Sequence, residues 1–216
     1  MVLVITAALS IWHFSTIGQN REDPYLHIGS KHVPLEAIQL FSKHGINLEL
    51  TNEENESVTP LDKFFIMGSM IPQDTEKLAR NPNEYKLMIT GAVEENVSLS
   101  YEELLERFEM KQTVTTLFCM PNLRGIGKFV GPSMYDVISY ARPDSEATKV
   151  IVVAADGYEH EFTLEEIREH RDNWILAMAM NGYPLATEHG YPVRLALTLE
   201  PGTSWVKWVV RIIVVV

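Results

Sequence analysis

The chain has 216 residues, enough to bury a full hydrophobic core in one large domain without disulfide bonds. Its 29 acidic and 18 basic side chains give a formal net charge of -11. Such a surface repels polyphosphate, which excludes nucleic-acid binding as a main activity and requires any anionic ligand to find a local cluster of Lys and Arg.

Residues 1–22 are an N-terminal segment whose first dozen residues, MVLVITAALSIW, are apolar. They are too few to span a bilayer, and no Lys or Arg precedes them as a signal peptide requires. Two interpretations stay open, a signal or anchor remnant and a structured N-terminus. Membrane association is expected only through this segment, and a periplasmic or extracytoplasmic location is slightly favoured over a cytoplasmic one. Residues 23–216 are predicted to form one domain with an N-terminal arm.

Two local signals predict helices in the arm. Pro34 leads from a short extended piece into a helix over residues 35–44, which Gly45 ends. Further along, Thr59 is a predicted helix cap with Pro60 at the first helical position.

From residue 85 onward, strands and short helices alternate irregularly. Strands are predicted for YKLMITG, TVTTLFC and KVIVVAADG, since each is rich in β-branched or apolar residues. Two helices carry capping-box spacing, Ser100 with Glu103 and Thr163 with Glu166.

Three more strands follow in NWILAMAM, PVRLALTL and WVKWVVRIIVVV. In the last of them, alternation places Val206, Trp208, Val210 and Ile212 on one face. Without a repeat or a regular strand and helix alternation, an α+β or mainly β architecture is favoured over a doubly wound parallel sheet.

Two cations interrupt these apolar strands, Arg194 and Lys207. Burial of either one unpaired costs several kcal/mol, so each needs an anionic partner or a route to water. No acidic residue alternates with Arg194 along its strand. The alternative is that both point outward into solvent.

Cys119, the single cysteine, ends a β-rich stretch just before Pro121. It is either a small core residue or a chemically employed thiol. The sequence lacks the standard signatures GxxxxGK[ST], GxGxxG, CxxC, HExxH and GxSxG. They therefore do not decide between the two interpretations of Cys119.

The segment NGYPLATEHGYPVRLALTLEPGTSWVKW, residues 181–208, resembles the molybdopterin-binding domain of the sulfite oxidase family. It contains that family's NG-x-PL, HG-x-P-[VL]-R and VKW in the same order and spacing. Upstream, TPLDKFFIMGSMIP, YKLMITGAVEENVSLSYEELLE and TTLFCMPNLRG resemble further family segments, and DPYLHIGSKHVPLEA fits the preceding arm. The resemblance covers roughly residue 23 to the end, and it implies an α+β, mainly β fold with short peripheral helices.

The resemblance also implies a molybdenum–molybdopterin cofactor, with tungsten as an alternative metal. Cys119 is then the protein ligand to the metal, because a soft thiolate suits a metal already held by the cofactor's sulfur pair. His189, Arg194 and Lys207 would bind the cofactor's phosphate. The full set of cofactor-binding residues implied is Gly68, Ser69, Asn122, Arg124, His189, Arg194, Ser204, Trp205, Val206 and Lys207.

The implied activity is two-electron oxygen-atom transfer on a small substrate, with a separate electron-transfer protein as partner. Family members that oxidise sulfite have R-N-H where this sequence has Met67, Gly68 and Ser69, which places sulfite in doubt. One alternative is a sulfoxide, other S-oxide or N-oxide reductase similar to the methionine sulfoxide reductase catalytic subunit. Another is a non-catalytic binding module of the same fold.

Overall fold

A computed structural model describes residues 23–66, 71–119 and 122–216. The N-terminal segment, with its interpretation as a signal or anchor remnant, lies outside the described residues, and so do Gly68 and Ser69. For residues 119 and 122–124 the description covers the backbone.

The described strands fall into four sheets, two of which have more than two strands. Their bounds are β1 Tyr25–Ile28, β2 Lys31–Pro34, β3 Lys86–Gly91, β4 Val97–Ser100, β5 Met110–Cys119, β6 Asn122–Pro132, β7 Lys149–Ala154, β8 Glu159–Thr163, β9 Trp174–Ala177, β10 Ala179–Met180, β11 Tyr183–Pro184, β12 Arg194–Leu197 and β13 Val209–Val215.

The larger sheet is mixed, with the strand order β4-β3-β13-β7-β8. The last strand, β13, runs parallel to β3 and antiparallel to β7, while the outer pairs are antiparallel. Along β7, Val150, Val152 and Ala154 are buried and alternate with more exposed residues. This period of two is that of a strand with one face on the core.

The second sheet is antiparallel, with the order β11-β10-β6-β5, and the separate pair β9-β12 packs beside it. A Cβ atom on Gly131 of β6 would lie 2.0 Å from the backbone oxygen of Leu176 in β9. Only glycine permits this approach. It sets β9 against β6, and β9 in turn pairs with β12, where Arg194 faces Ala177.

Short helices connect and cover the sheets. The described α-helices are α1 Leu35–Lys43, α2 Asn52–Ser57, α3 Thr75–Arg80, α4 Tyr101–Arg107, α5 Met134–Tyr140 and α6 Leu164–Glu169. Both predicted capping boxes are confirmed, on α4 and α6. The helix predicted after Pro34 is confirmed as α1, with Gly45 just beyond its end at φ 65°.

The predicted helix cap at Thr59 is wrong. Pro60 precedes only a 3-10 turn at Leu61–Lys63, which has no side-chain cap. The Thr59 hydroxyl instead accepts a hydrogen bond of 3.1 Å from the backbone N–H of Ile126 in β6. The hydroxyl that the local sequence pattern assigns to a helix cap is thus used in a tertiary hydrogen bond.

The predicted alternation along the last strand is also wrong. Trp208 has φ 51°, so the extended run does not begin until Val209, and the pairing of β13 with β7 shifts register between Val209 and Arg211. Because of this irregularity, Val209 and Ile212 are both buried, and Val210 is only partly so. Val206 and Lys207 lie in the preceding connection.

The predicted α+β, mainly β architecture with short peripheral helices is confirmed. The apolar side chains of both large sheets and of the helices meet in one continuous core. Among the described residues, none of the helices has the length and apolar character needed to cross a membrane.

Candidate functional site

A sharp reversal of the chain brings the HGYPVR and VKW motifs together. His189 ends a 3-10 turn, Thr187–His189, and Gly190 follows with φ 106°. A Cβ atom on Gly190 would lie 3.1 Å from Cβ of Arg194 and 3.0 Å from Cβ of Lys207. Glycine is therefore required here both for its backbone conformation and for the close approach of the two cations.

Arg194 is a buried guanidinium, 3% exposed. Its Nε donates to the backbone oxygen of Leu195 at 3.2 Å, and its Nη1 donates to that of His189 at 3.0 Å. The guanidinium carbon lies 5.7 Å from the ring centroid of Phe129 and 5.4 Å from that of Trp205. No carboxylate in the described part of the chain forms an ion pair with it, and burial lowers the pKa of Arg194 to about 10.

Lys207 adds a second cation on the other side of Gly190. Its Nζ donates to the backbone oxygen of Glu188 at 3.3 Å and lies 4.1 Å from the ring centroid of Trp208. Burial and the neighbouring charge of Arg194 lower the pKa of Lys207 to about 8. The alternative that both cations point into solvent is wrong for Arg194.

His189 is 2% exposed, and its backbone oxygen accepts the hydrogen bond from Arg194. Its Nε2 is buried and has no hydrogen-bond partner among the described atoms. The ring packs edge-on against Phe64, with centroids 5.5 Å apart. Buried polar atoms in folded proteins are nearly always satisfied, so this nitrogen is available for a hydrogen bond with a ligand.

We expect His189 to make the cofactor-free protein sensitive to acid. Burial, followed by the charges of Arg194, Lys31 and Lys207, lowers the pKa of His189 from 6.5 to about 3. Between those pH values the unfolded chain binds the proton and the folded chain does not. The resulting stability is complete above pH 6.5 and is lost as pH falls towards 3, with a limiting slope of about 1.4 kcal/mol per pH unit.

Urea unfolding of the cofactor-free protein across this pH range, compared with His189→Gln, measures that contribution. The variant should lose stability less steeply, because all other titrating groups are common to the two proteins. Parallel slopes would contradict the prediction.

Next to Arg194 lie three further predicted residues, Ser204, Trp205 and Val206. Ser204 and Trp205 are buried, and the Trp205 indole N–H donates to the backbone oxygen of Glu200 at 3.2 Å. The backbone oxygen of Val206 accepts a hydrogen bond of 2.8 Å from the N–H of Leu195. This bond ties the VKW segment to β12, while the Trp205 ring covers the guanidinium.

The end of the β5–β6 hairpin lies close to Phe64, the ring that packs against His189. Cys119 pairs with Asn122 at this end, and Gly125 pairs with Leu117. A Cβ atom on Gly125 would lie 2.7 Å from the ring of Phe64, which in turn contacts His189. The backbone that carries Cys119, Asn122 and Arg124 therefore lies near Phe64.

The structure also brings Lys31 to this region, although Lys31 is not among the predicted site residues. Lys31 lies on β2 and is 4% exposed. Its charge contributes to the lowered pKa of His189. The only sequence signal was a lysine in the extended segment before Pro34, which many surface strands share.

These observations define the class of site. The buried guanidinium of Arg194, which forms no ion pair with a carboxylate of the described residues, fits a phosphate group together with Lys207 and the unsatisfied imidazole nitrogen of His189. In an acidic protein such a cluster is a specific feature, since the bulk of the surface repels anions. The donors of His189, Arg194 and Lys207, called here the cationic cluster, fit the phosphate of the predicted cofactor.

Comparison with known proteins gives the family. Residues 73–216 match the family model described as "Oxidoreductase molybdopterin binding domain", and the chain belongs to this family. The resemblance to the sulfite oxidase family is thereby confirmed, and a molybdenum cofactor follows from membership. The family match begins at residue 73, and the prediction of one domain over residues 23–216 stays a prediction.

The relatives that match this chain include a nitrate reductase and a sulfite oxidase. The chain is 28% identical over 224 residues to nitrate reductase [NADPH] of Mycosarcoma maydis, covering 81% of this chain and 22% of that protein. It is 24% identical over 220 residues to mitochondrial sulfite oxidase of Rattus norvegicus, covering 88% and 39%. The chain thus spans between about a fifth and two fifths of the length of these relatives.

A solved structure shows the same fold. The sulfane dehydrogenase SoxCD from Paracoccus pantotrophus superposes with a TM-score of 0.61 and 20% identity, covering 99% of this chain and 56% of that one. The matched region includes the residues before position 73, so the arm has a counterpart in that fold.

Proposed function

We propose that the chain is a molybdenum-cofactor-dependent oxidoreductase that transfers an oxygen atom and two electrons to or from a small substrate. When bound, the cofactor supplies a metal that exchanges two electrons and an oxygen atom. The observation that carries the proposal is the cationic cluster, in which Arg194 is buried with no carboxylate partner among the described residues and His189 Nε2 is unsatisfied.

Each residue of the cationic cluster has a role in this proposal, and so does Trp205. Arg194 and Lys207 would hold the cofactor's phosphate through charge-assisted hydrogen bonds, and neutral His189 would add one from Nε2. Trp205 excludes water from one face of the guanidinium, which strengthens its attraction for an anion.

Cys119 is proposed as the protein ligand to the metal. Its support is the Cys-x-x-Asn motif at the end of the β5–β6 hairpin, together with the approach of that hairpin to Phe64. A thiolate is the soft ligand that such a metal accepts. Gly68, Ser69, Asn122 and Arg124 remain proposed cofactor contacts, as the sequence predicts.

The proposed reaction balances in either direction. In oxidation, the substrate gains one oxygen atom derived from water, and two protons and two electrons are released; reduction of an oxide is the reverse. The electrons leave or enter through a partner outside this chain, which we propose is an electron-transfer protein.

The first test is the content of the purified protein. Expression in a host that makes the cofactor should give stoichiometric molybdenum by elemental analysis and pterin fluorescence after denaturation. Tungsten in place of molybdenum would change the metal and leave the class intact. A well-folded protein free of metal and pterin would contradict the proposal and favour a non-catalytic binding module.

The second candidate function is the reduction of sulfoxides, other S-oxides or N-oxides. It is favoured by Met67, Gly68 and Ser69, which leave no guanidinium where sulfite-oxidising relatives have Arg. Dye-linked assays of sulfoxide reduction and of sulfite oxidation, run on the same loaded preparation, separate the two directions.

A further inference from the structure

The β1–β2 hairpin lies outside the residues matched by the family model, yet it packs against the turn that carries His189. Its second strand, β2, contacts the 3-10 turn Thr187–His189. Along β2, Lys31 and Val33 are buried, and His32 between them is only partly so. The hairpin therefore presents one buried cation on its inner side.

Lys31 is buried without a carboxylate. Its Nζ donates to Ser30 Oγ at 3.1 Å and to the backbone oxygen of Asp62 at 3.2 Å, both of which are neutral acceptors. No acidic side chain of the described ranges forms an ion pair with it. Asp62 is followed two residues later by Phe64, whose ring contacts His189.

A second contact joins the hairpin to Glu188, the residue before His189. The backbone N–H of His32 donates to Glu188 Oε2 at 3.0 Å, and His32 Nδ1 makes a short contact with the other carboxylate oxygen. Glu188 is 7% exposed and directly precedes His189, and its backbone oxygen accepts from Lys207. The residue that follows the buried lysine is thus held against the turn Thr187–His189.

We propose that Lys31 is a further cationic ligand for the phosphate of the cofactor, contributed by the hairpin that the contact between His32 and Glu188 holds in place. The inference rests on the proposed function, because it assigns one more residue to the same site. Like charges gathered in a buried region destabilise it until an anion neutralises them. A lysine that only tied Ser30 to Asp62 would instead stabilise the protein in the absence of any ligand.

The test compares Lys31→Met and Lys31→Arg with a matched control, Lys128→Met. Lys128 is similarly buried, 5% exposed, but its Nζ pairs with Glu54 Oε2 at 3.0 Å. Holoprotein from a cofactor-making host is assayed for pterin content and for the rate of pterin release on mild heating. Cofactor-free protein from a host unable to make the cofactor is titrated with inorganic phosphate at constant ionic strength, and its melting temperature is recorded.

For Lys31→Met we expect pterin release about tenfold faster, and about tenfold more phosphate for the same rise in melting temperature, as the loss of one charge-assisted hydrogen bond implies. Its melting temperature without ligand should equal or exceed that of the wild type. Lys31→Arg should retain both responses. Lys128→Met should melt lower, because Glu54 is left unpaired, with an unchanged phosphate dependence.

The inference is overturned if Lys31→Met releases pterin and responds to phosphate as the wild type does, or if its only effect is a lower melting temperature without ligand. A failure of the proposed function gives a different result, namely wild-type protein without pterin or metal. The phosphate titration still reports in that case whether Lys31 belongs to an anion site.

Discussion

Arg194→Met should emerge from a cofactor-making host without pterin while the polypeptide remains folded. Removal of one partner of a buried ion pair costs about 3–5 kcal/mol. Cofactor affinity should therefore fall by about two orders of magnitude or more. In the cofactor-free state the change has the opposite sign, since burial disfavours the charged guanidinium and lowers the pKa of Arg194. We expect the melting temperature of the cofactor-free variant to equal or exceed that of the wild type.

Arg211→Met is the matched control, because Arg211 lies on the neighbouring strand β13 and is exposed. It should bind pterin as the wild type does. Arg194→Lys keeps the charge but loses the planar fork, and intermediate pterin retention is expected of it. A full complement of pterin in Arg194→Met would remove Arg194 from the phosphate site.

The local features of the fold could be predicted because their causes are local. The capping boxes of α4 and α6 depend on two side chains three residues apart, and both are present. The start of α1 depends on Pro34 and its end on Gly45. The period of two along β7 follows from burial of one face of the sheet, which the apolar run KVIVVA reflects.

The features that could not be predicted depend on contacts between distant residues. The hydroxyl of Thr59 is taken by β6, 67 residues further along the chain. The bend at Trp208 follows a connection in which the backbone N–H of Val209 donates to Val193, so the strand starts later than its composition suggests. In both cases contacts with distant residues override the structure that the local sequence favours.

The candidate site divides in the same way. Arg194 and Lys207 could be singled out because a cation inside an apolar strand is costly, and their motifs marked them independently. The altered pKa of His189 could not be predicted, since it requires the burial of the ring and the positions of three cations. Lys31 could not be predicted because its position depends on long-range contacts of β2, such as that of His32 with Glu188, 156 residues apart.

Cys119→Ser should separate metal binding from cofactor binding. The proposed phosphate ligands Arg194 and Lys207 do not lie on the β5–β6 hairpin, so pterin content should stay near that of the wild type. A serine hydroxyl is a harder and far less acidic ligand than a thiol, and the metal should be lost or become labile. Residues that only orient ligands cost about 10–100-fold when mutated, so loss of the ligand itself should lower activity by more than about 100-fold.

The measurement is the ratio of molybdenum to pterin in protein purified alongside the wild type, together with dye-linked activity and the melting temperature. Thr116→Ser, at an exposed position of the same strand, is the control for altering β5 and should keep both metal and activity. A serine variant with normal metal content and full activity would return Cys119 to the role of a core residue. A variant that loses pterin and metal together, with the fold intact, would instead place the cysteine among the groups that retain the whole cofactor.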